Sequence, residues 1–472
     1  MNIKFNIIIV LVLQALFFAC KTTDKVLEAE ATIPNSFRGA ETNPSDTSTL
    51  ASVPWRTFFT DSKLIDLIDT AIANNYDLQI AIKNMETAQL LFKQAKAGYY
   101  PDLNLQIAAN SSRPSDNSLN GISLNQFLGT THIEDYTTAL ALSWEADVWG
   151  KIRNQKAIAL ASYLQSEEAK KAVQTQLVSS IAKGYYNLLM LREQLDVAKQ
   201  NLALTDSTLH IIKEQYDVGE ITLLGLEQAE AQRLAAASLV PEFEQRIATQ
   251  ENAIQLLTGK FPSEITPISS LNRVILPEKL TAGVPSALLS RRPDVKSAEI
   301  GVLASNAQTR LAQANMYPSL TITAQSGVNA FTASNWFNVP ASLFGMVAGS
   351  ITQPILQRRQ LKTQHETAKI EQEKSVIKFK QSVLTAVGEV SDALIAIDKL
   401  EQRESIALNR TTRLQNAINH AGLLFETGMA NYLEIITAQE NVLQSELELA
   451  GIKKAQLDAL VDLYRSLGGG WE

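Results

Sequence analysis

The chain holds a single cysteine, Cys20, so no disulfide can form within it. Proline is missing from two long stretches. None occurs from Lys151 to Asp217, where Gly184 is the only glycine, and none from Arg358 to Thr427, where only Gly388 and Gly422 occur. There is no excess of positive charge: 42 basic residues against 49 acidic give a net charge of −7, and no basic stripe offers a surface for nucleic acid. The four histidines, His132, His210, His365 and His420, are far apart and lack metal-ligand spacing. Gly468-Gly469-Gly470 is not followed by Lys and Ser or Thr, so it is no phosphate loop. No nucleophile elbow or other catalytic signature appears, and the enzyme class has no residue to stand on. Six methionines give no push towards copper.

What is present is written twice. Asp77-Leu-Gln-Ile-Ala81 and Ala95-Lys-Ala-Gly-Tyr-Tyr-Pro101-Asp-Leu103 recur 217 residues later, as Asp294-Val-Lys-Ser-Ala298 and Ala312-Gln-Ala-Asn-Met-Tyr-Pro318-Ser-Leu320. Further on, Tyr216, Gly219, Leu224, Leu226 and Ala229 are answered by Phe425, Gly428, Leu433, Ile435 and Ala438 at an offset of 209. Two related halves imply a pseudo-symmetric object, and walls and pores are built from repeats.

The N-terminus states an address. Met1-Asn-Ile-Lys4 is a short basic region, and Phe5 to Ala19 is an apolar run too short to span a membrane. Cys20 follows Ala19 directly, which resembles the bacterial lipobox, where the thiol is acylated and becomes the first residue of the mature chain. An ordinary signal peptide with an incidental cysteine is the other reading. Removing residues 1–19 takes away one Lys and leaves 41 basic residues against 49 acidic. Residues 21–53, rich in Thr, Ser, Asn, Pro and Glu, read as a tether.

Beyond the tether, Leu64, Leu67, Ile68, Ala71 and Ile72 share a helical face behind a capping Asp61, and a second helix is expected from about Asp77 to Gly98. The two proline-free stretches predict rods of roughly 100 Å at ~1.5 Å per residue. Each closes at a glycine, Gly219 or Gly428, and is followed by another helical run, so each half carries a long antiparallel hairpin. Between short helix and rod, each half inserts strands. Leu103, Leu105 and Ile107 alternate with Asn104, Gln106 and Ala108; Tyr136 to Trp144 and Leu320 to Ala324 alternate likewise, and a Gly-rich strand spans roughly Phe344–Thr352. Apolar residues out and small polar residues in is the pattern of a membrane β-strand. A soluble sheet with one wet face reads the same locally, and the export signal favours the membrane. The loops Asn110–Asp135 and Gly327–Ser342 read as polar and turn-rich. Four strands cannot close a barrel in lipid, so insertion requires several copies.

Several spaced motifs resemble the TolC-like outer-membrane efflux family in its lipoprotein branch: Trp55-x-x-Phe58-Phe59-x-Asp61, Ser143-Trp144-Glu145-x-Asp147-x-Trp149-Gly150-Lys151, Leu289-x-Arg291-Arg292-Pro293-Asp294-Val295, Thr352-Gln353-Pro354-Ile355, and Leu463-Tyr464-Arg465-Ser466-Leu467 with Trp471. The resemblance covers nearly the whole chain. It implies a mainly α fold with membrane β, in which four β-strands per chain contribute to a trimeric 12-stranded outer-membrane barrel and the helices form a periplasmic α-barrel. It further implies a passive exit duct for small molecules, joined by a periplasmic adaptor to an inner-membrane resistance-nodulation-division transporter. A duct for type I protein secretion, or a structural helical lipoprotein, is the alternative. No cofactor is expected beyond a lipid on Cys20.

On this reading residues 1–19 are the signal peptide and 20–53 the anchor and tether. Residues 54–270 form the first repeat, with strands at about 102–113 and 135–146 and a helical hairpin at 151–259. Residues 271–472 form the second, with strands at about 317–327 and 344–353 and a hairpin at 358–467. The resemblance places adaptor docking at Tyr216, Gly219, Thr222, Leu224, Phe425, Gly428 and Leu433. The first copy reads Leu224-Gly225 where the family has Leu followed by an acid, as in Leu433-Glu434, so the two reversals are expected to contribute unequally. A periplasmic gate is expected from Arg410, Arg413 and His420, with Glu214 or Asp217 as partners. Arg292-Pro293-Asp294 reads as helix capping, and Trp144, Trp149 and Trp336 as interfacial or packing aromatics.

Overall fold

The structure, a computed structural model, describes residues 26–39, 50–267, 269–274, 282–283 and 285–472. Cys20 and the signal segment lie outside the described residues. In order, the elements are α1 (Trp55–Phe58), α2 (Ser62–Asn74), α3 (Tyr76–Ala97), β1 (Asp102–Ser112), α4 (Leu119–Leu128), β2 (Ile133–Ala146), α5 (Lys151–Asp217), α6 (Leu223–Leu257), α7 (Leu288–Arg291), α8 (Pro293–Ala314), β3 (Ser319–Ala330), β4 (Leu343–Thr352), α9 (Gln360–Glu426) and α10 (Tyr432–Ser466), with short 3-10 turns between some of them. Among the described residues no helix is long and apolar enough to cross a membrane. The rods α5 and α9 are 67 residues each, and the returning helices α6 and α10 are 35 each.

The chain divides into two compact units that do not follow the sequence halves. One takes Ala88–Tyr163 and Gly301–Ile377 and holds all four strands; the other takes Glu30–Thr87, Leu164–Ile300 and Lys378–Glu472. In the second unit, α2 is fixed by its cap and its apolar stripe together. Asp61 accepts from the Lys63 and Leu64 amides, also accepts from the Tyr185 hydroxyl at 2.9 Å, and Leu64 and Ile68 are fully buried behind it. Phe58 stacks on Tyr464 at 4.1 Å, whose hydroxyl donates to the Val53 carbonyl. The Trp55-to-Asp61 motif is therefore a docking segment, held by Phe58 on Tyr464 and by Asp61 on Tyr185.

The internal repeat extends to side-chain hydrogen bonds. Asn75 Nδ2 donates to the carbonyl of Leu257, the last residue of α6, at 3.0 Å. Arg292, 217 residues later, donates from Nη1 to the carbonyl of Ser466, the last residue of α10, also at 3.0 Å. Both tie the orphan end of a returning helix to the start of a short one. In the strand-bearing unit Trp144 Nε1 donates to the Tyr99 carbonyl, and its counterpart Gln353 donates from Nε2 to the Met316 carbonyl. Position and acceptor are kept while the donor changes type.

Only the second repeat makes its tie with charge. Arg292, 5% exposed, forks onto Asp294 at 2.7 and 3.0 Å and reaches Glu389 on α9 at 2.8 Å. In the first repeat the same positions are Asn75 and Ser180, a short neutral pair. Burial alone would raise the Asp294 carboxyl, but the bonded guanidinium outweighs it and holds the group below the usual carboxylate value. Pro293 opens α8 at its first position, where a missing N–H costs nothing.

Arg292→Ala removes the guanidinium from Asp294 and from the Ser466 carbonyl and leaves Glu389 only its longer pair with Arg465 at 3.6 Å, and is expected to destabilise the fold by about 3 kcal/mol. Arg292→Lys, which cannot fork, should fall between that variant and wild type. Denaturant titration of the three proteins checks this; equal stability would make the cluster incidental.

Candidate channel wall and hairpin reversals

The four strands form one antiparallel sheet in the order β1-β2-β3-β4. Leu105 lies opposite Leu140, Leu140 opposite Ser326, and Ser326 opposite Gly345. Strand alternation then puts Leu103, Leu105, Ile107, Leu140, Leu142, Leu320, Ile322, Val347 and Ile351 on one face. The other face carries Asn104, Gln106, Ala139, Ser143, Thr321, Thr323 and Gln325. On the apolar face Leu103, Leu105 and Ile107 are 62%, 64% and 64% exposed, which only a lipid or a covering protein makes tolerable. The small-residue face is crowded at Gly327. A Cβ on Gly327 would lie 2.1 Å from the Thr138 carbonyl oxygen and 2.8 Å from the Ala139 Cβ, so glycine is required there.

The second feature is the pair of reversals between α5 and α6 and between α9 and α10. Gly219 and Gly428 hold φ +81° and +69°, the left-handed turn that glycine takes freely. Ile212, Ala229, Phe425 and Ile435 form one buried cluster, with Leu209, Ile221, Tyr432 and Ile436 against it, so the two reversals share a core. They start their second helices differently. Asn431 and Glu434 make a reciprocal capping box. At the matching position Gly225 cannot, and Thr222 caps alone. Gly225 serves packing instead: a Cβ there would lie 2.7 Å from Ile221 Cγ2 and 3.1 Å from the Tyr432 ring. The missing acid of the first reversal is thus the seat for Tyr432 of the second.

The sequence profile of the family described as outer membrane efflux protein matches residues 67–260 and 284–469. The chain belongs to that family. It is an outer-membrane efflux channel, and the family is one of transport proteins, not of enzymes. The cation efflux system protein CusC of Escherichia coli is 30% identical over 419 residues, covering 89% of this chain and 88% of CusC. The toluene efflux pump outer membrane protein TtgF of Pseudomonas putida is 30% identical over 424 residues, covering 89% of this chain and 86% of TtgF. A crystal structure of CusC superposes with a TM-score of 0.84 at 26% identity, covering 96% of this chain and 100% of that one.

The structure sorts the expected site residues of this efflux channel. Gly219, Thr222, Leu224, Gly428 and Leu433 are exposed at the reversals, while Phe425 is buried and Tyr216 half-buried, so Phe425 holds the turns from inside. Within the chain the expected gate residues do not pair across the rods. Arg410 binds Glu448 and Ser445 on the returning helix α10, and Glu214 pairs with His210 one turn away at 3.3 Å. The second rod does lack an acid between Glu404 and Glu426, but α10, packed beside it, supplies one. Arg413, His420 and Asp217 are exposed, and among the described residues no ion pair joins Glu214 or Asp217 to α9.

The structure differs from two expectations. The segment 110–135 is not all turn: α4 occupies Leu119–Leu128, capped by Ser118 and closed by Gly129 at φ +65°. Those two residues were its legible signal. The second rod starts at Gln360 and not at 358, because Arg358 and Arg359 take φ +48° and +65°.

In a lipid-embedded channel, Ser143→Cys should react with a membrane-impermeant charged thiol reagent and Leu142→Cys should not. Mass-shift labelling of the two variants checks this, and equal reactivity would remove the assignment of faces.

Proposed function

We propose that the channel is a homotrimer in which three four-stranded sheets close a 12-stranded barrel, forming a passive duct for small molecules. The observation that carries this reading is the sheet itself: a lipid-compatible face, a small polar face, and two edges that no strand covers among the described residues. Two copies would give eight strands, the lower bound for a membrane barrel, with side chains filling the interior; three leave room for a water-filled path. The resemblance to the TolC-like family supports three.

The duct takes its cargo from an inner-membrane resistance-nodulation-division transporter through a periplasmic adaptor that grips the reversals. The apolar residues at those turns support docking: Val218, Leu223, Leu224, Met429 and Leu433 are exposed around a shared, well-packed core. The gate draws on Arg410, Arg413 and His420 facing Glu214 or Asp217 between copies, with Arg410 leaving Glu448 when the mouth closes. CusC is named for cations and TtgF for toluene, and both are equally similar to this chain, so selectivity lies with the transporter upstream. Cys20 carries the lipid that sorts the protein without shaping the fold.

Gly219→Val together with Gly428→Val strains both left-handed turns. The double variant should still reach the outer membrane as oligomers but lose adaptor co-purification and efflux; unimpaired efflux would place docking elsewhere. Cys20→Ser should abolish incorporation of radiolabelled fatty acid, and retained label would overturn the lipidation.

A further inference from the structure

Inside the chain, the segment leaving β2 locks onto the segment entering β3. Trp149 Nε1 donates to the Pro318 carbonyl at 2.7 Å, and the Trp149 ring stacks on Tyr317 at 4.9 Å between centroids. The repeat offsets carry this contact elsewhere: Trp149 maps to Arg358 at 209, and Tyr317-Pro318 map to Tyr100-Pro101 at 217. Arg358 leaves β4 and Tyr100-Pro101 enter β1. These are the two outer strands of the sheet, so the counterpart contact has no place within the sheet order of one chain. Correspondingly, Tyr100 is 75% exposed and Arg358 is exposed too.

The offsets are reliable guides to geometry here. Applied to the pair Asp102↔Ser143 in β1 and β2, they give Ser319↔Thr352, which is the observed register of β3 and β4. Applied to the Trp144 bond to Tyr99, they give the observed Gln353 bond to Met316. The backbone keeps the correspondence as well. Gly150 turns into the first rod at φ +74°, and Arg359 turns into the second at φ +65° with Arg358 at +48°. These arginines are the only non-glycine residues with positive φ among the described residues. Side chains strain that conformation, and such outliers persist where surroundings impose them.

We propose that Arg358 of one copy lays its guanidinium on the Tyr100 ring of the next copy and donates to that copy's Pro101 carbonyl. The pair then holds the seam between copies as Trp149, Tyr317 and Pro318 hold β2 to β3. Arginine can replace tryptophan in this role because its planar cation stacks on an aromatic face and still has N–H groups to donate. The same offsets turn Ala146↔Leu320 into Ile355 facing the next copy's Leu103, and set Ile351 opposite the next copy's Ile107. The apolar face then runs on without a break, which is the parity a one-residue slip would destroy. The inference rests on the closed oligomer proposed above and names the residues that make its seam.

The test uses the full-length protein in detergent and follows the rate at which the oligomer dissociates in SDS on warming. Arg358→Ala and Tyr100→Ala should each speed dissociation about two- to five-fold, the scale of a partly exposed cation–π contact. The combined variant should be no faster than the faster single one, and Arg358→Trp, which restores the residue of the first repeat, should return the rate towards wild type. Independently, Ile107→Cys with Ile351→Cys should give cross-linked dimers and trimers on oxidation, and neither single variant should. An intact oligomer whose dissociation is unchanged by Arg358→Ala, or in which the two substitutions multiply, would overturn the contact alone. A wild-type protein that forms no oligomer would overturn the closed barrel and the contact with it.

Discussion

A backbone amide or carbonyl facing hydrocarbon must be paired, and among the described residues this sheet leaves one edge of β1 and one edge of β4 without a strand partner. Each unpaired group costs several kcal/mol in lipid. The strands are 11 and 10 residues long, so the outward-pointing groups alone exceed the roughly 5–15 kcal/mol by which a folded protein is usually stable. Everything else about the chain answers that constraint. The apolar face commits the sheet to lipid, the open edges commit it to copies of itself, and the small polar face becomes the lining once the sheet closes.

The internal repeat is how one sequence makes a near-uniform wall. Equivalent positions solve equivalent problems with different chemistry: Asn75 and Arg292 tie helix ends, and Trp144 and Gln353 hold the turns before the strands. Gly225 and Glu434 start returning helices, one by making room for Tyr432 and the other by completing a capping box. In three of these pairings the second half holds the charged or polar member: Gln353 against Trp144, Glu434 against Gly225, and Arg292 with Glu389 against the neutral Asn75 with Ser180.

Much of this was legible in the sequence, because long-range order here is built from local signals. Strand alternation from Leu103 to Ile107, the proline-free rods and the glycines at 219 and 428 each act within a few residues. What sequence reading missed depends on neighbours distant in the chain. The Arg410 partner lies on α10, 38 residues away, and no spacing rule on its own helix could have found it. Phe425 repeats Tyr216 in the pattern, yet is the more deeply buried of the two because it anchors the cluster shared by both reversals. The helix at Leu119–Leu128 was missed for a different reason: its cap and its closing glycine were present but lay inside a stretch read as loop.

On the reading proposed above, three copies close the wall. Native mass measurement of the full-length protein, extracted from outer membranes in mild detergent, tests it directly. The expected result is a single species at three times the mass of one copy, with no stable one- or two-copy form. A stable single-copy species would rule out closure by several copies, because the edges of β1 and β4 would then have to be satisfied without a second chain.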